Sequence, residues 1–93
     1  GESVMQILDY VLKMTCEACP EQYDVFDSDG KQVGYLRLRH GGFRADYPDC
    51  GGDTVYRYSF DDAWKGIFAD EEREQYLTEA VKAIDNRIKE VKE

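Results

Sequence analysis

Apolar residues recur at three- and four-residue intervals along the last quarter of the chain. The stripe consists of Leu77, Ala80, Val81, Ile84, Ile88 and Val91. This spacing is typical of an amphipathic helix, and it predicts a helix over residues 71–92. We expect Asp70 to cap its first turn, and Asp85 and Lys89 to form a favourable i,i+4 pair.

The middle of the chain alternates apolar and polar residues, which is the pattern of β-strands. Asp29-Gly30 and Gly41-Gly42 are expected to be two-residue hairpin turns. The first turn would pair Phe26 with Val33, Asp24 with Tyr35, and Tyr23 with Leu36. The second turn would pair His40 with Phe43, Arg39 with Arg44, Leu38 with Ala45, and Arg37 with Asp46.

Strand alternation sorts these side chains onto two faces of one sheet. The apolar face would collect Tyr23, Val25, Leu36, Leu38, His40, Phe43, Ala45 and Tyr47. The opposite face would collect Asp24, Phe26, Val33, Tyr35, Arg37, Arg39, Arg44 and Asp46. The stretch TVYRYSF adds a strand, with Arg57 outward and with Tyr56, Tyr58 and Phe60 inward.

Residues 4–15 fit two patterns. A helical stripe would comprise Val4, Ile7, Leu8, Val11 and Leu12, with Ser3 and Gln6 as a capping box. A strand would place on one face Leu8, Tyr10, Leu12 and Met14. The β-branched and aromatic content favours the strand. The helical alternative would give an α-β-β-β-α order, as in double-stranded-RNA-binding domains, but the acidic helices lack the lysine cluster such binding needs.

Residues 59–70, SFDDAWKGIFAD, are expected to connect the last strand to the helix. Trp64, Ile67 and Phe68 are predicted to seal the end of the core beneath that helix. The pattern predicts one α+β domain over residues 1–93, in which the helix packs on one face of an antiparallel, meander-like sheet of four or five strands. Residues 1–3 are interpreted as a vector-derived remnant.

The composition limits the partners that the chain can have. The chain has 93 residues, 42% hydrophobic and 13% aromatic, which predicts a folded domain with one core. Its net charge is −8, and only residues 33–60 are net basic, with four arginines against three acids. An acidic surface repels phosphate backbones, so we expect no nucleic-acid partner. No apolar run has the length of a bilayer span, so we expect no membrane partner.

Three cysteines in 93 residues fit a reducing cytoplasm better than a disulfide framework. Cys16 and Cys19 have the CxxC spacing of a zinc site or a redox dithiol. Zinc would need four ligands, and the remaining candidates are His40 and Cys50. In a meander the Cys50 loop lies a strand length from the CxxC, roughly 15–20 Å. We therefore predict no bound metal and no cofactor, with Cys16, Cys19 and His40 as the low-ranked metal candidates.

Catalytic interpretations are weak as well. A reactive thiol needs a neighbouring cation or helix N-terminus, whereas acidic residues flank all three cysteines. The segment DSDG fails as an EF-hand, because Val25 and Leu36 would stand where carboxylate ligands are required. Adjacent carboxylates such as Asp61-Asp62 are expected in a chain with 20 acids. The sequence therefore predicts no enzymatic activity.

The polar face of the sheet is the candidate binding site. Its binding residues would be Phe26, Tyr35, Arg37, Arg39, Arg44 and Arg57, with Val33 beside them. Aromatic and arginine side chains together are typical of protein interfaces. The alternative is an ordinary solvated face, on which arginine stems cover scattered apolar groups. We predict a small non-catalytic interaction domain that binds an acidic protein or a second copy of itself.

Two alternative functions remain open. An acidic, phage-like domain can mimic nucleic acid and inhibit a host protein, but the helix intersperses its glutamates with Lys82, Arg87 and Lys89. A zinc-stabilised domain would use the CxxC. Salt separates the first alternative from the interaction domain, because a mimic loses its basic partner steeply as salt increases.

The stretch from Pro20 to Tyr56, PEQYDVFDSDGKQVGYLRLRHGGFRADYPDCGGDTVY, resembles segments of small uncharacterised proteins from bacteria and their phages. The resemblance covers somewhat less than half of the chain. It implies a recurring small domain, and it implies no activity and no functional residues.

Overall fold

The computed structural model of the chain describes residues 4–16 and 20–92. Within these residues it contains six strands and one helix: β1 (Val4–Ile7), β2 (Tyr10–Cys16), β3 (Glu21–Phe26), β4 (Gln32–Arg39), β5 (Gly42–Tyr47), β6 (Asp53–Ser59) and α1 (Asp70–Lys92). The strands form one open antiparallel sheet in chain order, β1-β2-β3-β4-β5-β6. The predicted α+β meander is confirmed, but it has six strands instead of four or five. The predicted remnant, residues 1–3, lies outside the described residues.

The additional strand comes from residues 4–15, which form a hairpin. Strands β1 and β2 pair on either side of a turn at Leu8 and Asp9. The strand interpretation is therefore confirmed over the helical one, and Tyr10 and Leu12 are buried together as expected. Leu8 does not share their face, because it lies in the turn with a φ of 55° and is half exposed.

The β3–β4 hairpin has nearly the predicted register. Tyr23 lies opposite Leu36 and Asp24 lies opposite Tyr35, as expected. The expected pairing of Phe26 with Val33 is wrong, because the register shifts at the end of β3 and Phe26 pairs with Gln32. A β-bulge of this kind takes one residue out of the alternation, and Val33 is consequently buried.

The β4–β5 turn begins one residue earlier than predicted. Its central residues are His40 and Gly41, with φ values of 51° and 77°. Positive φ at both central positions is what a type I′ hairpin turn requires. The shift places His40 at the exposed turn, so the expectation that it faces the core is wrong. Leu38 now pairs with Phe43, and because partners move by two positions, the residues paired between β4 and β5 keep their predicted faces.

Helix α1 covers one face of the sheet, which we call the inner face; the opposite side is the outer face. The helix packs against β1, β4, β5 and β6. The fully buried apolar residues that join the two layers are Leu12, Val25, Leu36, Leu38, Ala45, Leu77, Ala80, Val81 and Ile84. Burial of this apolar surface is the main contribution to the stability of the fold.

The first turn of α1 is capped by a residue other than the predicted one. Ala69 is the N-cap, and its backbone N–H donates to Oε2 of Glu72 over 2.8 Å. This is the reciprocal half of a capping box. Asp70 instead pairs with Arg73 over 2.6 Å in the first turn. The predicted pair of Asp85 and Lys89 is confirmed, with 2.9 Å between the ammonium and the carboxylate.

A buried carboxylate ties the helix to the sheet. Glu21 is only 1% exposed, and it accepts hydrogen bonds from Nε of Arg73 over 2.8 Å, from the backbone N–H of Phe68 over 3.0 Å, and from the hydroxyl of Tyr23. The Glu21 carboxylate raises the pKa of Arg73, and burial together with the same carboxylate raises the pKa of Tyr23. A buried charge with this many donors is compensated.

Candidate functional site

Four arginines lie on the outer face of the sheet. Arg37 of β4 is directly opposite Arg44 of β5, and Arg44 is directly opposite Arg57 of β6. Arg39 is two residues from Arg37 on the same strand, so it lies on the same face. The predicted pairing of Arg39 with Arg44 is wrong, because Arg39 lies opposite Gly42. We call Arg37, Arg39, Arg44 and Arg57 the arginine face.

The arginine face contains a shallow depression. One row of residues across the sheet consists of three arginines, whereas the next row consists of Arg39, Gly42 and Ser59. Because glycine and serine leave space beside the long arginine side chains, a hollow of about 260 Å³ opens between the rows. It is lined by Arg37, Arg39, Gly42, Phe43, Arg44, Arg57 and Ser59.

One buried carboxylate lies beside the arginine row. Asp46 is 1% exposed and accepts hydrogen bonds from Oγ1 of Thr54 over 2.9 Å and from the backbone N–H of Gly51 over 3.3 Å. Nε of Arg44 is 3.4 Å from Oδ2 of Asp46, which makes an ion pair. That Nε atom is buried, and it forms no hydrogen bond with any described group. Asp46 is therefore the counter-charge of Arg44, at ion-pair distance but without a hydrogen bond to its Nε.

The other three arginines are not neutralised. Across residues 4–16 and 20–92, Arg37, Arg39 and Arg57 enter no ion pair and no side-chain hydrogen bond. By contrast, Arg73 is held by Glu21 and Asp70, and Arg87 by Asp53. Guanidinium groups on adjacent strands repel each other. The arginine face is thus a local excess of positive charge on a chain whose net charge is −8.

Trp64 lies next to the arginine face and is the most exposed large apolar residue described, at 86%. The prediction that Trp64, Ile67 and Phe68 seal the core is wrong for two of the three. Phe68 is buried, whereas Ile67 is 47% exposed. A second hollow, of about 510 Å³, adjoins the arginine face and is lined by Pro20, Gln22, Arg37, Arg39, His40 and Trp64.

The loop that carries Trp64 is fixed by backbone hydrogen bonds. The N–H of Gly41 donates to the carbonyl of Lys65 over 2.8 Å, and the N–H of Glu21 donates to the carbonyl of Gly66 over 2.8 Å. Oδ1 of Asp62 accepts the N–H of Trp64 itself over 2.9 Å. A Cβ at position 41 would overlap the Asp62 carbonyl, so only glycine allows this close approach. Trp64 is consequently held outward by an anchored loop.

The apolar part of the predicted site is less exposed than expected. Tyr35 is 8% exposed, and its hydroxyl donates to Oε1 of Gln22. Burial is the main cause that raises the pKa of Tyr35, and the charge of the nearby Cys50 raises it further. Val33 is buried and Phe26 is half-buried. The expected exposed patch of Phe26, Val33 and Tyr35 is therefore wrong, and the exposed aromatic contribution near the arginines comes from Trp64.

The metal candidates are not brought together within the described residues. Across residues 4–16 and 20–92, no three histidine, cysteine or carboxylate groups converge on one point. His40 is in the β4–β5 turn, and the exposed Cys50 is in the β5–β6 loop at the opposite end of the sheet. Cys16 ends β2, and Cys19 lies outside the described residues.

The DSDG segment forms a turn stabilised by its own first carboxylate. Oδ1 of Asp27 accepts the backbone N–H groups of Asp29 and Lys31, each over 2.9 Å. This is an Asx-type turn, in which the side chain replaces a backbone acceptor. The acidic residues of this loop are thus explained by the hairpin.

Comparisons with known proteins return no assignment. No protein-family model matches the chain, and neither a curated protein nor a solved structure matches it. The resemblance of residues 20–56 to bacterial and phage proteins stays a prediction. None of the described helical residues makes a segment that is both long and apolar enough to cross a membrane.

Proposed function

We propose that the chain is a non-catalytic interaction domain, and that its arginine face, together with Trp64, binds an acidic segment of a partner protein. The alignment of Arg37, Arg44 and Arg57 across three strands carries the proposal. Like charges directly opposite each other destabilise a sheet, and one buried carboxylate is the neighbouring counter-charge. An anionic partner would relieve this repulsion, so charge complementarity favours an acidic occupant.

Trp64 supports the protein nature of that partner. Tryptophan and arginine are the residues most enriched in the energetic centres of protein interfaces. The hollow between Trp64 and Arg39 is open and wide enough to take an apolar side chain. Because the loop of Trp64 is already anchored by backbone hydrogen bonds, binding would cost little ordering of that loop.

The charge of the whole chain disfavours a long polyanion. Electrostatic interactions decay over about 8 Å at physiological ionic strength, so a short acidic segment feels mainly the local arginines. A nucleic acid would extend over the acidic remainder of a chain with net charge −8. The mimicry alternative ranks lower, since the exposed back of α1 mixes Glu71, Glu74 and Glu79 with Lys82.

The exposed thiol of Cys50 supports a reducing compartment, which we take to be the cytoplasm.

The emission of Trp64 provides a direct test, because it is the only tryptophan in the chain. A short glutamate-rich peptide with one leucine should shift the emission to shorter wavelength as Trp64 is covered. The double variant Arg37→Glu/Arg57→Glu should weaken this binding by about tenfold or more. Its matched control is Lys31→Glu/Lys82→Glu, which changes the net charge equally at two exposed residues elsewhere and should bind like the wild type.

Three outcomes would overturn the proposal. Equal weakening in both double variants would assign the effect to net charge alone. Unchanged binding in the arginine variant would remove the site from the arginine face. An emission shift that depends on protein concentration without peptide, with a matching dimer mass in native mass spectrometry, would assign the face to a second copy of the chain.

A further inference from the structure

Resting on the proposed function, we propose that the depression over Gly42 is a subsite for a phosphate monoester, and that its occupant is a phosphorylated serine or threonine of the partner protein. The depression and the unneutralised arginines beside it are separate observations that agree on this chemistry.

The size of the depression indicates one chemical group of a larger molecule. Its volume is about 260 Å³, which is below the roughly 300–1,000 Å³ of pockets that hold a whole small molecule. It adjoins the second hollow beside Trp64, since Arg37 and Arg39 line both. A partner segment can therefore place one side chain in the depression while its neighbours lie along the sheet.

The charge around the depression favours a phosphate over a carboxylate. Arg37, Arg39 and Arg57 have no counter-charge among the described residues, and Arg44 shares Asp46 with Thr54 and Gly51. A carboxylate supplies one negative charge, whereas a phosphate monoester supplies about 1.5 to 2 and three strong acceptor oxygens. Guanidinium groups bind such oxygens with two parallel N–H donors each.

The floor of the depression is suited to a close anion. Gly42 has no side chain to obstruct the approach, and Ser59 offers a hydroxyl on the adjacent strand. Arg44 lines the depression while its Nε lies beside Asp46. A phosphate in the depression would offset the repulsion between the arginines that line it.

Gly42 allows the subsite to be blocked without altering any charge. A Cβ at Gly42 would have as its nearest neighbour the Arg39 carbonyl oxygen, at 3.5 Å, which is an ordinary contact. Its φ is outside the left-handed region, so a β-branched residue suits this strand position. Gly42→Val should therefore fold normally and fill the depression. Gln6→Val, at an exposed position of the edge strand β1, is the matched control.

The experiment titrates four probes into ¹⁵N-labelled protein and follows the Nε–H resonances of the arginines. The first probe is a peptide whose only charged side chain is a phosphoserine. The others are the same peptide with serine or with glutamate at that position, and inorganic phosphate. We expect the phosphoserine peptide to bind about tenfold more tightly than the glutamate peptide, with the largest shifts among the four arginines that line the depression. Gly42→Val should reduce phosphoserine binding about tenfold to the level of the glutamate peptide, and Gln6→Val should not.

The outcomes separate this inference from the function on which it rests. Equal affinity for the phosphoserine and glutamate peptides, with both lost in Arg37→Glu/Arg57→Glu, would refute the phosphate subsite and keep the interaction domain. Binding of inorganic phosphate as tight as that of the peptide would make it a free-anion site and would also refute a protein-borne phosphate. A loss in Gly42→Val that is confined to the phosphoserine peptide, with thermal unfolding unchanged, supports the subsite, and unchanged phosphoserine binding refutes it; an unfolded Gly42→Val moves the same test to Gly42→Ala.

Discussion

The two faces of the sheet are formed by alternate residues of the same strands, yet they differ in how completely they are satisfied. On the inner face, Leu36 and Leu38 are fully buried beneath α1, and the carboxylate of Glu21 has a donor for each oxygen. On the outer face, Arg37 and Arg39 alternate with these leucines and have no ionic partner among the described residues.

This difference separates the residues that stabilise the fold from those that are available for binding. The inner face needs the helix, because its apolar surface would otherwise be in water. The outer face needs no second layer, since arginine stems tolerate solvent. We expect the aligned arginines to oppose folding through their mutual repulsion, and binding of an acidic partner is the role that we propose for them.

The largest expected effect is the difference in stability between two neighbouring substitutions, one on each face of the sheet. Leu36→Ala removes a side chain that is 0% exposed, and it should lower the free energy of unfolding by about 3 kcal/mol. Arg37→Ala, one residue later on the same strand, should change it by less than about 0.5 kcal/mol. Urea unfolding monitored by circular dichroism measures both values. Similar losses at the two positions would contradict the comparison.

The division into two faces could be predicted from the sequence, because it depends only on alternation. The β4–β5 turn was predicted one residue too late, since His40 adopts a positive φ that its residue type only weakly favours. The faces were nonetheless right, because the error moved partners by two positions. The β1–β2 hairpin is hard to predict for a related reason: Leu8 adopts the positive φ in its turn, which a leucine rarely does.

The candidate site was predictable only in part. The four arginines were found, because their spacing places them on one face. The apolar character of Trp64 wrongly predicts a core position, because large apolar residues are often exposed in part and the position of Trp64 depends on backbone hydrogen bonds from distant residues. The depression depends on the true register, which brings Gly42 and Ser59 into one row. No local pattern indicates the bonds between Glu21 and Arg73, which are 52 residues apart.

An intermediate effect should come from the ion pair that anchors the Trp64 loop to the helix. The Lys65 ammonium, followed by the backbone N–H of Ala69, holds the pKa of Glu72 below its ordinary 4.5. Since this pKa is lowered in the folded state, its stabilisation is fully present above about pH 4.5 and is lost as pH falls through the lower folded value. Glu72→Gln should therefore cost roughly 1 kcal/mol near neutral pH and nothing in strong acid.

The control for this prediction is Glu71→Gln. Glu71 is exposed in the same first turn, so it shares the field of the helix N-terminus but not the contacts with Lys65 and Ala69. Thermal unfolding of the three proteins from neutral to acidic pH checks the result. A difference between Glu72→Gln and the wild type that persists in strong acid would show that shape, not charge, matters at this position.

The smallest effect should come from relieving the repulsion on the outer face. Arg57 lies directly opposite Arg44 and has no ionic partner among the described residues, whereas Arg87 pairs with Asp53 and lies over the ring of Tyr47. Arg57→Gln should therefore raise the free energy of unfolding by about 0.5 kcal/mol at low salt, and the same change at Arg87 should lower it by a similar amount. Thermal unfolding with and without salt measures both.

Because the Debye length falls to about 3 Å at 1 M salt, the gain at Arg57 should shrink as salt is added. A loss of stability in Arg57→Gln at every salt concentration would instead mean that the arginine stem packs on the sheet and outweighs the repulsion. A gain in stability together with weaker peptide binding would show that Arg57 contributes to binding while it lowers the free energy of unfolding.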